Sequence, residues 1–204
     1  MNGSKSTIPL TYPQVVHIAD HFLAAKDYRM ECVVLLLARC LRIGDVVRTL
    51  KMGDVYSFAP GISELNLVGV LNKEIAFREE KTNKKRMLEV GESSRLYHAL
   101  VRYWVHEANY LPSTAQLFYG KREKMPLLDG GVKKLLAQFV GQAQIRQCSP
   151  HSFRKFGARY IWEVHKVPLE VVSDILNHSN PKTTRVYLGI NSDDVTNANR
   201  KLQI

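Results

Sequence analysis

The residues whose types are best suited to catalysis or binding lie in the C-terminal third of the chain, which contains His151, Arg154, His178 and Tyr187. Core packing does not explain their spacing. A helix that starts near Ser152 would turn about 100° per residue and separate a polar face from an apolar one. The polar face comprises His151, Arg154, Lys155 and Ala158, and the apolar face comprises Phe153, Phe156, Tyr160 and Val164. Since the polar face can hold an anion, we expect these groups to converge on an anionic group such as a phosphate.

A further cationic group, Arg42, directly follows the most apolar run of the chain, residues 32–38. A guanidinium beside buried apolar residues is costly unless anionic partners meet it. Asp45, three residues further on, can satisfy only part of this requirement. The sequence therefore predicts a second anionic partner for Arg42. A purely structural salt bridge between Arg42 and Asp45 is the alternative.

The turn at residues 81–86, with the sequence KTNKKR, concentrates four cations at the tip of a predicted hairpin. Like charges repel at such close range, so a turn of this kind typically contacts phosphates. A solvated basic turn without a partner is the alternative.

The overall composition favours a polyanionic partner. A chain of 204 residues, 45% apolar and 24% charged, can bury the core of one domain. Its formal charge of +10 favours nucleic acid first and an anionic membrane surface second. No apolar run reaches the length of about eighteen residues that a membrane span needs, and the N-terminus lacks an apolar signal core. We therefore expect a cytoplasmic, nucleoid-associated protein that does not bind membranes.

The pattern of the chain predicts an α+β fold that is mostly helical with a small antiparallel β-sheet. Apolar residues recur at helical spacing in several segments, and short alternating pieces occur between residues 52 and 90. The predicted helices begin near Thr11, Tyr28, Glu92, Gly130, Ser152 and Leu169, and the predicted strands cover residues 54–58, 65–71, 74–80 and 86–90. The three cysteines have no CxxC spacing, which indicates packed thiols rather than a disulfide framework or a zinc site.

Six side chains, taken in chain order, resemble the catalytic set of the tyrosine recombinase (phage integrase) family. They are Arg42, Lys81, His151, Arg154, His178 and Tyr187. The local motifs match as well, and the similarity extends from about Leu10 to Tyr187. These motifs are Leu41-Arg42-Ile43 with Asp45, Lys81-Thr82 ahead of Arg86, His151-x-x-Arg154, Leu176-Asn177-His178, and Thr183-Thr184 ahead of Tyr187.

Two positions depart from the family pattern, and neither is expected to carry chemistry. Asn177 stands where glycine is frequent, and Lys155 stands where histidine is common. Family members usually also carry an N-terminal helical domain that clamps the DNA. The chain resembles the short single-domain recombinases that invert fimbrial promoter segments, and truncation of a longer protein is the alternative. We expect a flexible tail at 1–9, the catalytic domain at 10–190 and a C-terminal tail at 191–204.

The resemblance implies a role for each of the six residues. Tyr187 would attack the scissile phosphate to form a 3′-phosphotyrosyl link, which conserves the bond energy without ATP. Two guanidiniums, of Arg42 and Arg154, would grip the phosphate oxygens. Lys81 would protonate the leaving 5′ oxygen, His151 would accept or relay the tyrosyl proton, and His178 would donate to a phosphate oxygen. No carboxylate cluster is evident for Mg²⁺, so we expect neither a metal nor another cofactor.

Double-stranded DNA is the expected partner, and the family suggests a homotetramer on DNA through exchange of the C-terminal tail, with accessory DNA-bending proteins. Ten basic residues are candidate backbone contacts, although each alone is more often a solvated charge. They are Arg39, Arg48, Lys84, Lys85, Arg86, Lys121, Arg122, Lys155, Lys182 and Arg185. The expected function is site-specific recombination by integration, excision or inversion. A type IB topoisomerase and a non-catalytic DNA-binding regulator of the same fold are the alternatives.

Overall fold

The computed structural model describes residues 7–57, 71–109, 111–120, 125–190 and 200. Its helices are α1 (Tyr12–Ala24), α2 (Tyr28–Ala38), α3 (Met52–Val55), α4 (Arg95–Tyr103), α5 (Asp129–Ala137), α6 (Pro150–Glu163), α7 (Leu169–Ile175) and α8 (Pro181–Leu188). Two strands, β1 (Glu74–Arg78) and β2 (Lys85–Glu89), pair in an antiparallel sheet. The predicted fold class, mostly helical with a small antiparallel sheet, is confirmed.

Helix α2 forms the centre of the core because it is apolar on almost every side. Its segment Cys32–Leu37 is buried apart from Leu35, and the helix contacts α1, α4 and α6. Burial of this apolar surface is the main term that holds the elements together. The chain leaves α2 at Arg39 and reaches Arg42 within one turn, so that this arginine lies directly beside the core.

Capping side chains fix where the two helices of the C-terminal third begin. The Ser149 side chain accepts a hydrogen bond from the Ser152 amide, and Pro150 occupies the first turn of α6. Asn180 accepts from the Lys182 amide at 2.8 Å in front of α8, which starts with Pro181. Both arrangements satisfy amides that would otherwise lack partners and use proline where its missing N–H costs nothing. Helix α6 therefore begins at Pro150, slightly before the predicted start.

The two-stranded sheet places the basic turn beside the core. Its register pairs Arg78 with Lys85 at the turn end, and Ile75 and Phe77 of β1 point into the core. Because side chains alternate across a strand, the next position on this inward face is Glu79. This residue is only 1% exposed, and its side chain is fully buried.

Helix α6 approaches the end of α2 very closely at Gly157. A Cβ atom on this residue would collide with the Ala38 carbonyl oxygen and contact the Cys40 sulfur. A glycine is therefore required here. The close approach lets residues at the start of α6 contact the backbone that follows α2. A small second cluster of Cys40, Ala158, Val172, Leu176 and Leu188 packs α6, α7 and α8 together beside this contact.

Several predicted boundaries differ from the structure. The stretch predicted as a strand at residues 54–58 begins in helix α3 instead, and residues 58–70 lie outside the described part of the chain. The long helix predicted from Glu92 is α4 followed by a π-helical segment, Trp104–Ala108, and the helix predicted from Gly130 ends at Ala137. Val164, predicted on the apolar face of α6, is 57% exposed because the helix ends at Glu163.

No helix in the described residues combines the length and apolar character that crossing a membrane would require.

Candidate active site

Arg154 lies at the centre of the candidate site and is buried, with 2% of its surface exposed. It projects from the second turn of α6 and donates hydrogen bonds to the Cys40 carbonyl and, at 2.7 Å, to the Leu176 carbonyl. These acceptors are main-chain oxygens that carry only partial charge. Burial, together with the charge of Arg42, lowers the pKa of Arg154 from its ordinary value. The guanidinium remains a cation at neutral pH because arginine is the most basic of the side chains.

Arg42 meets Arg154 at the same backbone atom. Its Nη2 atom donates to the Leu176 carbonyl oxygen at 3.4 Å, so the two guanidiniums are brought together at the end of α7. The last carbonyls of a helix lack intrahelical partners and carry a partial negative charge. A single main-chain oxygen therefore holds two like charges close to each other.

The second anionic partner predicted for Arg42 lies within the protein. Its Nη1 atom is 2.5 Å from a carboxylate oxygen of Glu79, whereas the Asp45 carboxylate is 4.0 Å away. Asp45 instead accepts from the Arg42 amide and, at 2.9 Å, from the Glu80 amide. The structural salt bridge between Arg42 and Asp45 is thus the weaker of the two contacts.

A cavity of about 250 Å³ lies in front of this pair of guanidiniums. Arg42, Lys81, His151 and Arg154 all contribute to its lining. The structure therefore brings four of the six predicted residues around one space. Lys81 is exposed in the turn after β1, and its neighbour Glu80 is anchored to buried Asp45 through the backbone.

Tyr187 lies on α8 between the two histidines. Its ring centroid is 5.8 Å from that of His151 and 5.5 Å from that of His178, with both pairs in an edge-to-face arrangement. The hydroxyl is buried, and the Arg154 guanidinium lies close enough to act on it, although no hydrogen bond of ordinary geometry reaches it from the described residues. Burial raises the pKa of Tyr187 to about 12, although the charge of Arg154 acts in the opposite direction. The phenol is therefore protonated at neutral pH and needs a proton acceptor before it can attack.

The surroundings of both histidines favour the neutral imidazole. Burial and the charges of Arg154 and Lys155 lower the pKa of His151, and burial and the charge of Arg154 lower that of His178. His178 is oriented by its Nδ1 atom, which lies 2.9 Å from the hydroxyl of buried Thr184. A neutral imidazole offers one donor and one acceptor, which suits it to proton transfer.

Glu79 is the residue at the site that the sequence analysis missed. Its carboxylate accepts hydrogen bonds from four side chains, those of Arg42, Thr82, Arg86 and Asn177. Burial acts to raise the pKa of Glu79, but the hydrogen bonds of Thr82, Arg42 and Arg86 outweigh it and lower the pKa to about 2. The alternation along β1 was the signal that could have found it, because it puts Glu79 on the same face as Ile75 and Phe77.

The two departures from the family pattern both contact the site, contrary to expectation. The Lys155 ammonium lies 5.3 Å from the centroid of the Tyr187 ring. The Asn177 amide donates to Glu79 at 2.7 Å and to the Thr82 hydroxyl at 3.3 Å. Both side chains therefore interact with residues of the candidate site.

The candidate DNA-backbone contacts fall into different groups. Arg86 is directed inward, with 11% of its side chain exposed and an ion pair to Glu79 at 3.0 Å, which leaves little of it to display to DNA. Arg48 pairs with Glu80 and Asp129. Exposed candidates are Arg39, Lys84, Lys85, Lys182 and Arg185, whereas Lys121 and Arg122 lie outside the described residues.

Within the described ranges, no three His, Cys, Asp or Glu side chains cluster as metal ligands. All three cysteines are buried and free.

Comparison with known proteins gives consistent matches. Tyrosine recombinase XerC of Halalkalibacterium halodurans is 39% identical over 69 residues, which cover 33% of this chain and 22% of that protein. Tyrosine recombinase XerD of Neisseria meningitidis serogroup B is 30% identical over 115 residues, which cover 52% of this chain and 36% of that protein. The matches thus span well under two thirds of these curated relatives.

Solved structures share the fold. The crystal structure of XerA recombinase matches 100% of this chain and 66% of its own, with a TM-score of 0.70 and 18% identity. XerH site-specific recombinase bound to difH substrate, in a pre-cleavage complex, matches 97% of this chain and 55% of its own, with a TM-score of 0.67 and 16% identity.

The model of the phage integrase family matches residues 9–193, nearly the whole chain. On the strength of this match, the chain belongs to the phage integrase family.

Proposed function

We propose that this chain is the catalytic domain of a site-specific DNA recombinase that cleaves and rejoins DNA through a 3′-phosphotyrosyl intermediate. The observation that carries the proposal is the meeting of Arg42 and Arg154 at the Leu176 carbonyl, next to Tyr187 between two histidines. This geometry offers an anion site beside a nucleophile. It also supports the six catalytic roles that the family resemblance implies.

The scissile phosphate would occupy the cavity in front of the two guanidiniums. Charge grows on its non-bridging oxygens during attack, and donors fixed in advance at that position stabilise the transition state. Arg154 is fixed by two carbonyls and Arg42 by Glu79, so neither has to reorganise when DNA arrives. With Nδ1 of His178 receiving the Thr184 proton, its Nε2–H would donate to a further phosphate oxygen.

Proton transfer would begin at Tyr187. Its hydroxyl forms the new bond to phosphorus and gives its proton to neutral His151, directly or through water. The bond between phosphorus and the 5′ oxygen breaks, and the Lys81 ammonium protonates that oxygen. Attack by a 5′-hydroxyl on the phosphotyrosine reverses the sequence and rejoins the DNA. When this hydroxyl belongs to a partner duplex, the outcome is recombination.

The partners follow from the same proposal. Double-stranded DNA is the substrate, and XerH in the matched structure was captured on its difH substrate. We propose a homotetramer on DNA, formed through the C-terminal tail at 191–204, whose residues lie outside the described ranges apart from residue 200. Accessory DNA-bending proteins and association with the nucleoid belong to this proposal too. So does the domain division at residues 10 and 190.

None of the relatives named above supports the topoisomerase alternative, since all carry recombinase names. A non-catalytic regulator of the same fold would lack the covalent step, and the test below distinguishes it.

The test is covalent trapping on nicked suicide substrates made from the DNA that flanks the coding region. The wild type is expected to form a covalent protein–DNA adduct in excess EDTA, because the cations around the phosphate already supply the charge that a metal would. Tyr187→Phe is expected to abolish the adduct. Tyr160→Phe, which removes a hydroxyl from α6 outside the candidate site, serves as the matched control. An adduct that survives Tyr187→Phe, or no adduct with the wild type, would refute the proposal.

A further inference from the structure

Glu79 connects three separate parts of the candidate site. Its carboxylate contacts Arg42, which follows α2, at 2.5 Å. It contacts Thr82 in the turn that carries Lys81 at 2.8 Å, and Asn177 immediately before His178 at 2.7 Å. Arg42, Thr82 and Asn177 lie 37, 3 and 98 positions away from Glu79 in the sequence. One side chain thus joins the segments that carry three of the six proposed catalytic residues.

The surroundings of Glu79 give this connection geometric precision. Its side chain has no exposed surface, and both carboxylate oxygens are engaged, one by Arg86 and the other by Arg42, Thr82 and Asn177. Charge-assisted hydrogen bonds to a buried carboxylate are shorter and stronger than neutral ones. The position of each donor is therefore defined by the carboxylate before a ligand binds.

Asn177 shows that the connection includes the segment before His178. Its backbone lies in the left-handed region, with φ of 53°, where glycine and asparagine are the residues that fit most readily. The asparagine side chain uses this backbone position to reach both Glu79 and the Thr82 hydroxyl. A glycine would permit the same backbone shape, with greater conformational freedom, and would lose both contacts.

We propose that Glu79 is a positioning residue, which holds Arg42, the Lys81 turn and the segment before His178 in the arrangement that cleavage requires. It does not touch the scissile phosphate. The inference rests on the proposed recombinase function for its catalytic consequence, but the placement of the three segments can be measured without catalysis.

The first experiment is hydrogen exchange on the full chain for wild type, Glu79→Gln, Asn177→Gly and Glu74→Gln. Glu74 is an exposed glutamate at the far end of the same strand, so its substitution is a matched control. Glu79→Gln is expected to speed exchange jointly in residues 80–84 and 176–179, and Glu74→Gln in neither. Unchanged exchange in both segments in Glu79→Gln would overturn the proposal. Should Glu79→Gln fail to fold, Asn177→Gly decides by the same criterion.

The second experiment measures single-turnover cleavage at saturating enzyme. Glu79→Gln is expected to slow adduct formation by about 10²-fold, the scale of a displacement of about 1 Å in a catalytic group. Asn177→Gly is expected to slow it several-fold, and Glu74→Gln to leave it within about twofold of the wild type.

A third experiment uses a DNA substrate with a sulfur atom in place of the 5′ bridging oxygen. It distinguishes a positioning role of Glu79 from a simple loss of folded protein. A thiolate leaves without a proton, so it removes the need for Lys81. The loss of cleavage rate in Glu79→Gln, relative to the wild type, is expected to be several-fold smaller on this substrate. Partial unfolding would instead reduce the cleavage rates on both substrates by the same factor. An equal deficit on both substrates overturns the proposal. If the wild type forms no adduct, the recombinase function fails, and the exchange experiment still decides the positioning role.

Discussion

Two arginines face the same cavity, but the protein compensates their charges in different ways. Arg154 is 2% exposed and is held by two main-chain carbonyls. Arg42 keeps 21% of its side chain exposed and is paired with the Glu79 carboxylate. Carbonyl dipoles orient a cation without neutralising it, whereas a carboxylate cancels most of its field at a distance. Arg154 therefore supplies net positive charge, and Arg42 supplies mainly directed hydrogen bonds.

This difference explains how the fold tolerates the site without DNA. Two uncompensated guanidiniums that share one carbonyl oxygen would repel strongly in a buried environment. Glu79, which also pairs with Arg86, and Asp45 at 4.0 Å together offset the charge of Arg42, and Arg154 is left available for an incoming phosphate. Protein stability and readiness for an anion are thus divided between the two arginines.

The largest expected effect distinguishes the two arginines in catalysis. Arg154→Gln is expected to slow single-turnover cleavage by about 10³-fold and Arg42→Gln by about 10²-fold, the range for removal of a transition-state donor. The reason is that Arg154 provides the uncompensated charge. Rates of adduct formation at saturating protein measure both variants, with Arg159→Gln, which removes an exposed pair to Glu163, as the control. Equal losses of cleavage rate in the two variants would contradict the proposed difference between the two arginines.

The next effect appears in acid, where protonation of Glu79 removes the compensation. Its pKa falls from an ordinary 4.5 to about 2 in the folded state, so its contribution to stability is complete above pH 4.5 and is lost as the pH falls towards 2. The shift corresponds to on the order of 3 kcal/mol. Urea unfolding of wild type and Glu79→Gln between pH 5 and pH 2.5 measures it. The wild type is expected to lose more stability than the variant, and parallel pH profiles would contradict the assignment.

The smallest effect is stabilisation by a simple anion. Sulfate at about ten times its Kd should raise the free energy of unfolding of the wild type by about 1.4 kcal/mol, since it binds the folded state alone. Arg154→Gln is expected to abolish this gain and Arg42→Gln to reduce it. Thermal unfolding in sulfate, against chloride of equal ionic strength, provides the measurement. A gain retained in Arg154→Gln would place the anion elsewhere.

The sequence predicted the parts of this site that depend on residue type and order. The chain order from Arg42 to Tyr187 identified the family, which the family match confirms, and alternation in residues 74–80 and 86–90 identified the hairpin. A need for anionic partners beside Arg42 also followed from simple electrostatics. These inferences succeed because they concern single segments or a set of side chains with a known order.

The remaining features arise from contacts between distant segments. The acceptors of Arg154 are the carbonyls of Cys40 and Leu176, and every residue has a carbonyl, so the sequence contains no mark of them. Glu79 resembles an ordinary charged residue at a strand end until the fold buries it. The strand predicted at residues 54–58 was wrong at its start because packing selects a short helix, α3, over β propensity.

The carbonyl of Leu176 has a consequence for anyone who rebuilds this chemistry elsewhere. Since it belongs to the peptide backbone, no substitution at position 176 deletes it, and only a change in the path of the chain would move it. Copying the side chains alone onto another scaffold would omit the atom that sets the spacing of the two guanidiniums. A designed protein with this site would have to include the backbone at the end of α7 in the same position.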